Sequence, residues 1–265
     1  MKRGSIGTAL ALWATFVVTL AVAPSPAVAF HEATIHVEGG AWFPTLDAEV
    51  RSSRAGFEGD LISDDDVGID DPDVVFQGGV TFRLAKRHAL RIDGFAFGVD
   101  GGGQTDRTFT FDGRTYPVAT PVTSEADVAF AGLDYGFDVV HTGQAALGLN
   151  IGVRFVGAEA SIEAPLVGEA KGEFETALPA LGLVVILHPF PVPLLSSLAL
   201  SGRISGGTIG DGGTFIDAEG GVEWLPIPLL AIRVGYRYFH AEGERDRDEA
   251  NVDLYGPYAS VTLSF

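Results

Sequence analysis

The chain has 265 residues, of which 35 are Asp or Glu and 17 are Lys or Arg, giving a formal net charge of −18. Such acidity argues against nucleic acid or an anionic surface as a partner. Cysteine is absent, which excludes disulfides, thiolate metal sites and a cysteine nucleophile. Glycine is abundant at 35 residues and mean hydropathy is +0.25 despite the charge, so apolar and charged residues are interleaved along the chain.

The amino-terminus carries Lys2 and Arg3, an apolar run from Ile6 to Val22, and the small-residue site Ala27-Val28-Ala29. This is the pattern of a secretory signal peptide over residues 1–29, with residues 30–265 as one mature domain. Loss of Lys2 and Arg3 takes the net charge from −18 to −20. Downstream, the apolar run from Ala177 to Leu187 is broken by Pro179 and Gly182 and is too short for a helical span.

The mature chain reads as strands with a period of two. The first, 33–43, sets Ile35, Val37, Ala41 and Phe43 against His36, Glu38 and Trp42, and a long loop is expected from Pro44 to Asp73. The second, 74–84, faces Gln77, Thr81 and Arg83 one way and Phe76, Val80 and Phe82 the other. In the third, 89–100, Arg91 and Asp93 share a face with Phe95, Phe97 and Val99, so either a bulge shifts the register or the aromatics fill the interior. Residues 101–121 carry a turn signal at Asp112-Gly113 and read as a hairpin projecting beyond strands three and four.

Strand four, 127–140, alternates Leu133, Tyr135 and Phe137 with Asp134 and Asp138. Strand five, 145–161, places Arg154 opposite its Leu, Ile and Val face, and a loop through Pro165 and Lys171 follows. Strand six, 173–188, is apolar on both faces. After the turn Pro189–Pro193, strand seven (197–209) turns Ser201, Arg203 and Ser205 inward. Strands eight (214–225) and nine (229–240) carry Asp217, Glu219 and Glu223 against Arg233 and Arg237. Folding that hairpin about Ile227 sets Gly221 opposite Arg233 and Asp217 opposite Arg237. After a loop at 243–248, the closing strand alternates Tyr255, Pro257, Ala259, Val261 and Leu263 with Gly256, Ser260, Thr262 and Ser264, and ends on Phe265.

Long acidic segments alternate with short turns, and aromatics such as Phe43, Tyr135, Phe137, Phe155, Trp224, Tyr236 and Tyr238 cluster near strand ends. The expected fold is all-β, an up-and-down antiparallel transmembrane β-barrel of ten strands, with eight as the alternative. A soluble two-sheet sandwich would have to pack the two aromatic faces together and leaves the signal and terminal Phe265 unexplained.

Phe265 with its alternating predecessors, the Gly235-Tyr-Arg-Tyr-Phe239 strand and the export signal resemble Gram-negative outer-membrane β-barrel proteins of the small, single-chain, porin-like kind. The stretch from Asp60 to Asp71 also resembles a group of such barrels of uncharacterised function. The resemblance implies residence in the bacterial outer membrane after Sec-type export, contact with outer-membrane lipid and lipopolysaccharide, and recognition by the barrel-assembly machinery. Tyr255, Val261, Leu263 and Phe265 would form the insertion signal.

Three features could carry chemistry. Glu38, Asp93, Asp134, Asp138, Asp217, Glu219 and Glu223 face the interior with Arg83, Arg91, Arg154, Arg203, Arg233 and Arg237. They form either a structural core of paired charges or the lining of a narrow ion or solute channel. The acidic loop offers Asp64, Asp66 and Asp70 as hard oxygen ligands for Ca²⁺ or Mg²⁺, although no Glu closes an EF-hand after Gly68. His240, with Glu242, Asp246 and Asp248, is the best candidate for a membrane hydrolase site. The expected role is structural or surface-interacting, without catalysis or an obligatory cofactor, with the narrow channel as the second reading.

Overall fold

The computed structural model describes residues 34–53, 59–142, 144–188, 198–210, 213–227, 229–245 and 248–265, with backbone only at 244, 245 and 248. The expected signal over 1–29, the turn Pro189–Pro193 and Asp246 lie outside these residues. In chain order the strands are β1 (Ile35–Trp42), β2 (Thr45–Arg51), β3 (Ile62–Ser63), β4 (Val75–Ala85), β5 (His88–Gln104), β6 (Phe109–Phe111), β7 (Arg114–Tyr116) and β8 (Pro121–His141). They continue as β9 (Ala145–Ala164), β10 (Gly168–Leu187), β11 (Leu198–Thr208), β12 (Thr214–Ile227), β13 (Leu230–Arg245) and β14 (Asp248–Ser264). One helical turn, α1 (Asp64–Val67), follows β3.

The wall runs β1-β4-β5-β8-β9-β10-β11-β12-β13-β14 and closes by pairing β14 with β1, giving an antiparallel up-and-down barrel of ten strands. Closure leaves no open edge and satisfies the backbone internally, as a lipid environment demands. The expected long loop from Pro44 to Asp73 needs correction. β1 and β2 are one wall strand, since Trp42 pairs with Tyr258 and Thr45 with Tyr255 in a single register. Pro44 interrupts the ladder because it has no N–H to donate. β4 begins only at Val75; above it, β3 pairs with β2 and Ile69 bridges to Gly101, so the wall stays continuous.

The β5–β8 pairing runs from His88↔Phe137 to Gln104↔Pro121 without a shift. No bulge reorients the third wall strand, and Phe95 and Val99 are buried inside the barrel. In β10, Leu178 and Ala180 are buried inward while Leu181, Leu183 and Leu187 are exposed outward. Both faces are apolar because one meets lipid and the other packs against an aromatic interior.

Strands β8, β9 and β10 have 21, 20 and 20 residues, about twice the ~9–11 needed to cross a bilayer. The expected loop through Pro165 and Lys171 is therefore only a turn between Ala164 and Gly168, and of the loop expected at 243–248 the described residues, 243–245 and 248, are strand. Rows such as Tyr135–Ile151–Leu181 and Phe137–Leu149–Leu183 form an exposed apolar belt around the lower barrel. Higher up, the same outer face turns acidic in the row Asp127–Glu159–Glu173. The belt is the lipid-facing zone and the acidic wall stands in water beyond it. Among the described residues no helix is long and apolar enough to cross a membrane.

The hairpin of residues 101–121 also departs from expectation. Asp112 and Gly113 do form its tip, both with positive φ (46° and 71°), as a two-residue hairpin turn requires. Yet β6 and β7 form their own small sheet and fold across the barrel mouth. Phe109, Phe111 and Tyr116 are buried there with Ile62, Val67, Val122 and Ile162. A projecting hairpin would leave these rings in water, so burial bends it inward.

Candidate functional site in the lumen

From the short-turn end upward, the lumen holds a vestibule of about 210 Å³, a charge layer, an aromatic layer, a smaller apolar chamber of about 60 Å³, and the hairpin lid. Strand parity places each sequence-identified charge inward. In the charge layer, Arg91 bonds Glu38 at 3.1 Å and approaches Asp93 at 3.7 Å; Arg203 reaches Asp93 at 3.3 Å and Glu219 at 3.4 Å. Arg233 completes the circuit, 3.6 Å from Glu219, 3.5 Å from Glu38 and 2.8 Å from Glu223. Because β5 and β11 lie on opposite sides of the wall, the Asp93–Arg203 contact crosses the bore.

Two further pairs flank this circuit. Arg154 grips Asp134 through both guanidinium nitrogens at 2.7 Å, and Arg237 grips Asp217 at 2.9 and 3.0 Å. Such two-point forks fix geometry as well as charge. Arg83 pairs with Asp138 at 3.3 Å nearer the vestibule mouth, where His141 also contacts Asp138. The expected register of strands eight and nine is corrected by two residues. A bulge between Trp224 and Ile227 sets Glu223 opposite Arg233 and Glu219 opposite Arg237, with Asp217 diagonal to Arg237.

Above the charges lies an aromatic layer, of which the sequence offered only the Phe95 strand as one of two alternatives. Phe95 stacks on Phe130 at 5.1 Å and meets Trp42 and Phe239 edge-on at 5.6 and 5.3 Å. Arg237 sits 5.0 Å from the Trp42 ring and 4.9 Å from Phe95, while Arg154 lies 5.8 Å from Phe215. The guanidinium planes thus join the charge layer to the aromatics. The signal was present in sequence: Phe95, Phe215 and Phe239 share parity with lumen charges on their own strands.

The lid is held by polar contacts to both sides of the mouth. Asp112 N donates to Ser52 O and Thr110 N to Asp60 Oδ2, while Tyr116 Oη donates to Ile162 O and Gly168 O. Arg107 forks onto Asp66 at 2.9 and 3.2 Å and also donates to Leu61 O. Those hydrogen bonds hold the Asp66 carboxyl below its ordinary range, whereas burial pushes Asp64 and Tyr116 up.

The acidic candidates for a metal are not brought together. Asp64 accepts from Ala48 N, Asp66 caps α1 with Ser63 and binds Arg107, and Asp70 is exposed. Among the described residues no three His, Asp or Glu side chains converge as a metal site. His240 faces outward, with Nδ1 3.2 Å from Asp253 and Nε2 3.9 Å from Glu242. The closing-strand residues Tyr255, Val261, Leu263 and Phe265 all point outward from β14.

No family model matches the chain, and no curated protein matches it. Among solved structures, the outer membrane protease OmpT from Escherichia coli is similar, with a TM-score of 0.54 at 8% identity over 88% of this chain and 97% of that one. Ail, the attachment invasion locus protein of Yersinia pestis, gives 0.37 at 8% identity over 86% of this chain and 99% of its own. The Pseudomonas putida toluene transporter TodX gives 0.36 at 10% identity, over 88% and 90%. The likeness to OmpT is one of fold: this chain is a closed barrel of the outer-membrane type.

Proposed function

We propose that the chain is an outer-membrane β-barrel with a closed lumen, whose role is structural and surface-presenting rather than catalytic or conductive. The observation that carries this reading is the charge circuit lying directly beneath the Trp42–Phe95–Phe130–Phe239 layer. An open pore needs fixed charges around a continuous water path. Here the charges are ion-paired with one another across the bore, and the layer above them is apolar. The extended acidic wall and the lid are then the parts offered to the outside, while lipid and lipopolysaccharide surround the belt. The outward row ending at Phe265 suits recognition by the barrel-assembly machinery.

In planar bilayers the purified barrel is expected to show no steady conductance steps; clear, salt-dependent steps would sink the closed reading in favour of a narrow channel. Arg233→Ala/Arg237→Ala is expected to destabilise the closed barrel by stranding Glu223 and Asp217, whereas in an open pore it would chiefly change selectivity. Loss of a lipid- or peptide-cleaving activity on His240→Ala would overturn the non-catalytic assignment.

A further inference from the structure

The outer surface at the short-turn end carries a feature that lumen closure does not use. Lys86 and Arg87 form the turn between β4 and β5 and are both exposed. Their backbones are pinned, since Arg83 Nη1 donates to Lys86 O at 3.3 Å and Asp138 N donates to Arg87 O at 2.9 Å. Among residues whose side chains are described, every other Lys and Arg has an ion-pair or hydrogen-bond partner; these two have none. In a chain of net charge −18, these two adjacent cations on a fixed turn are left available to an anionic partner from outside the protein.

Beside them the outer wall supplies an amphipathic slot. His88 Nδ1 lies 2.5 Å from Tyr135 Oη, and its ring centroid lies 5.2 Å from Phe137. Leu84 and Phe137, both exposed, continue from the slot into the apolar belt. Cations at the rim, polar aromatics next and bare apolar wall beyond match the order of phosphate, glycerol ester and acyl chain in a phospholipid. The long strand extensions of β8 to β10 and the hairpin lid stand beyond the belt at the opposite end, as the extracellular parts of such barrels do, so this end faces the periplasm, where the neighbouring leaflet is phospholipid. On the opposite end the Asp127–Glu159–Glu173 row presents like charge to a phosphate.

We infer that Lys86, Arg87, His88, Tyr135 and Phe137 form a binding site for an anionic phospholipid of the phosphatidylglycerol type in the periplasmic leaflet. The cations hold the phosphate and Phe137 with Leu84 holds the first acyl carbons. This site is independent of whether the lumen conducts.

The test is native mass spectrometry of the full barrel in detergent, titrated separately with phosphatidylglycerol, phosphatidylethanolamine and lipid A. Wild type is expected to retain phosphatidylglycerol at the lowest concentration. Lys86→Gln/Arg87→Gln should weaken that retention about 30-fold, the scale of two surface cations at an anionic leaflet. The swap Lys86→Arg/Arg87→Lys should keep it, and Phe137→Ala should weaken it while the cations remain. Equal retention by wild type and the Gln variant, no preference over phosphatidylethanolamine, or a preference for lipid A would each overturn the site. Unchanged heat-modifiable migration on gels reports that the variants are folded.

Discussion

At the scale of single residues the Arg154–Asp134 pair shows how tightly the interior is specified. Both are almost fully buried, and each sits across the β8–β9 ladder from a glycine: Gly132 faces Arg154 and Gly152 faces Asp134. A Cβ at Gly132 would lie 3.0 Å from the guanidinium, and one at Gly152 would collide with the carboxylate. Arg154→Ala strands a buried carboxylate and should cost about 3–5 kcal/mol, while Asp134→Leu/Arg154→Met should recover most of that loss. Urea unfolding in lipid vesicles, followed by fluorescence, separates the two outcomes. Equal destabilisation by both variants would mean that packing, not charge, dominates. Parity made Asp134 and Arg154 legible as inward residues. The diagonal pairing was not legible, because it depends on the offset between strands and on which neighbour lacks a side chain.

The lid is the element whose sequence said most about its turn and least about its direction. Asp112-Gly113 announced the hairpin, and Phe109, Phe111 and Tyr116 were available as a hint that one face must be buried. The surfaces that receive them belong to Ile62, Val67 and Ile162, distant in sequence. Pro44 misled in a similar way, since proline usually ends a strand, yet Thr45 to Arg51 resume the same register. The lid's anchor has a defined pH response. Asp66 has a folded pKa depressed first by the Arg107 hydrogen bonds. Its contribution is fully present above the ordinary carboxylate pKa and is lost as pH falls through the depressed value. Asp64, raised by burial, runs in the opposite direction and partly offsets the change. The lid should therefore hold at neutral pH and loosen only in strong acid, and Asp66→Asn should loosen it at pH 7. Arg107 is nearly half exposed, so the loss should be about 1 kcal/mol or less. Amide exchange in β6 and β7 should quicken by up to about fivefold; unchanged exchange would remove the fork as the anchor.

For the whole molecule, the closed-lumen reading places two seals in the bore, and they differ in chemistry and in legibility. Alternation, the terminal Phe265 and the rhythm of turns were enough to place ten strands and an apolar belt, since these follow from local periodicity. The axial order inside was not readable, because layers assemble from residues on many strands. Viewed down the bore, the lower seal combines mutually neutralised charges with packed rings, and the upper seal is a separate hairpin over an apolar chamber. Neither should depend on the other. Replacing residues 107–118 by a short Gly-Ser linker should leave the bilayer current flat, since Trp42, Phe95, Phe130 and Phe239 still fill the bore beneath. Phe95→Ala/Phe130→Ala/Phe239→Ala with the lid intact should likewise stay closed at its outer mouth, though less stable by about 3–5 kcal/mol for each buried ring removed. Only the combination of both changes should yield steady conductance steps, because only then does water reach the charge layer from both ends. Conductance after lid removal alone would place the seal in the hairpin and leave the charge circuit as a pore lining.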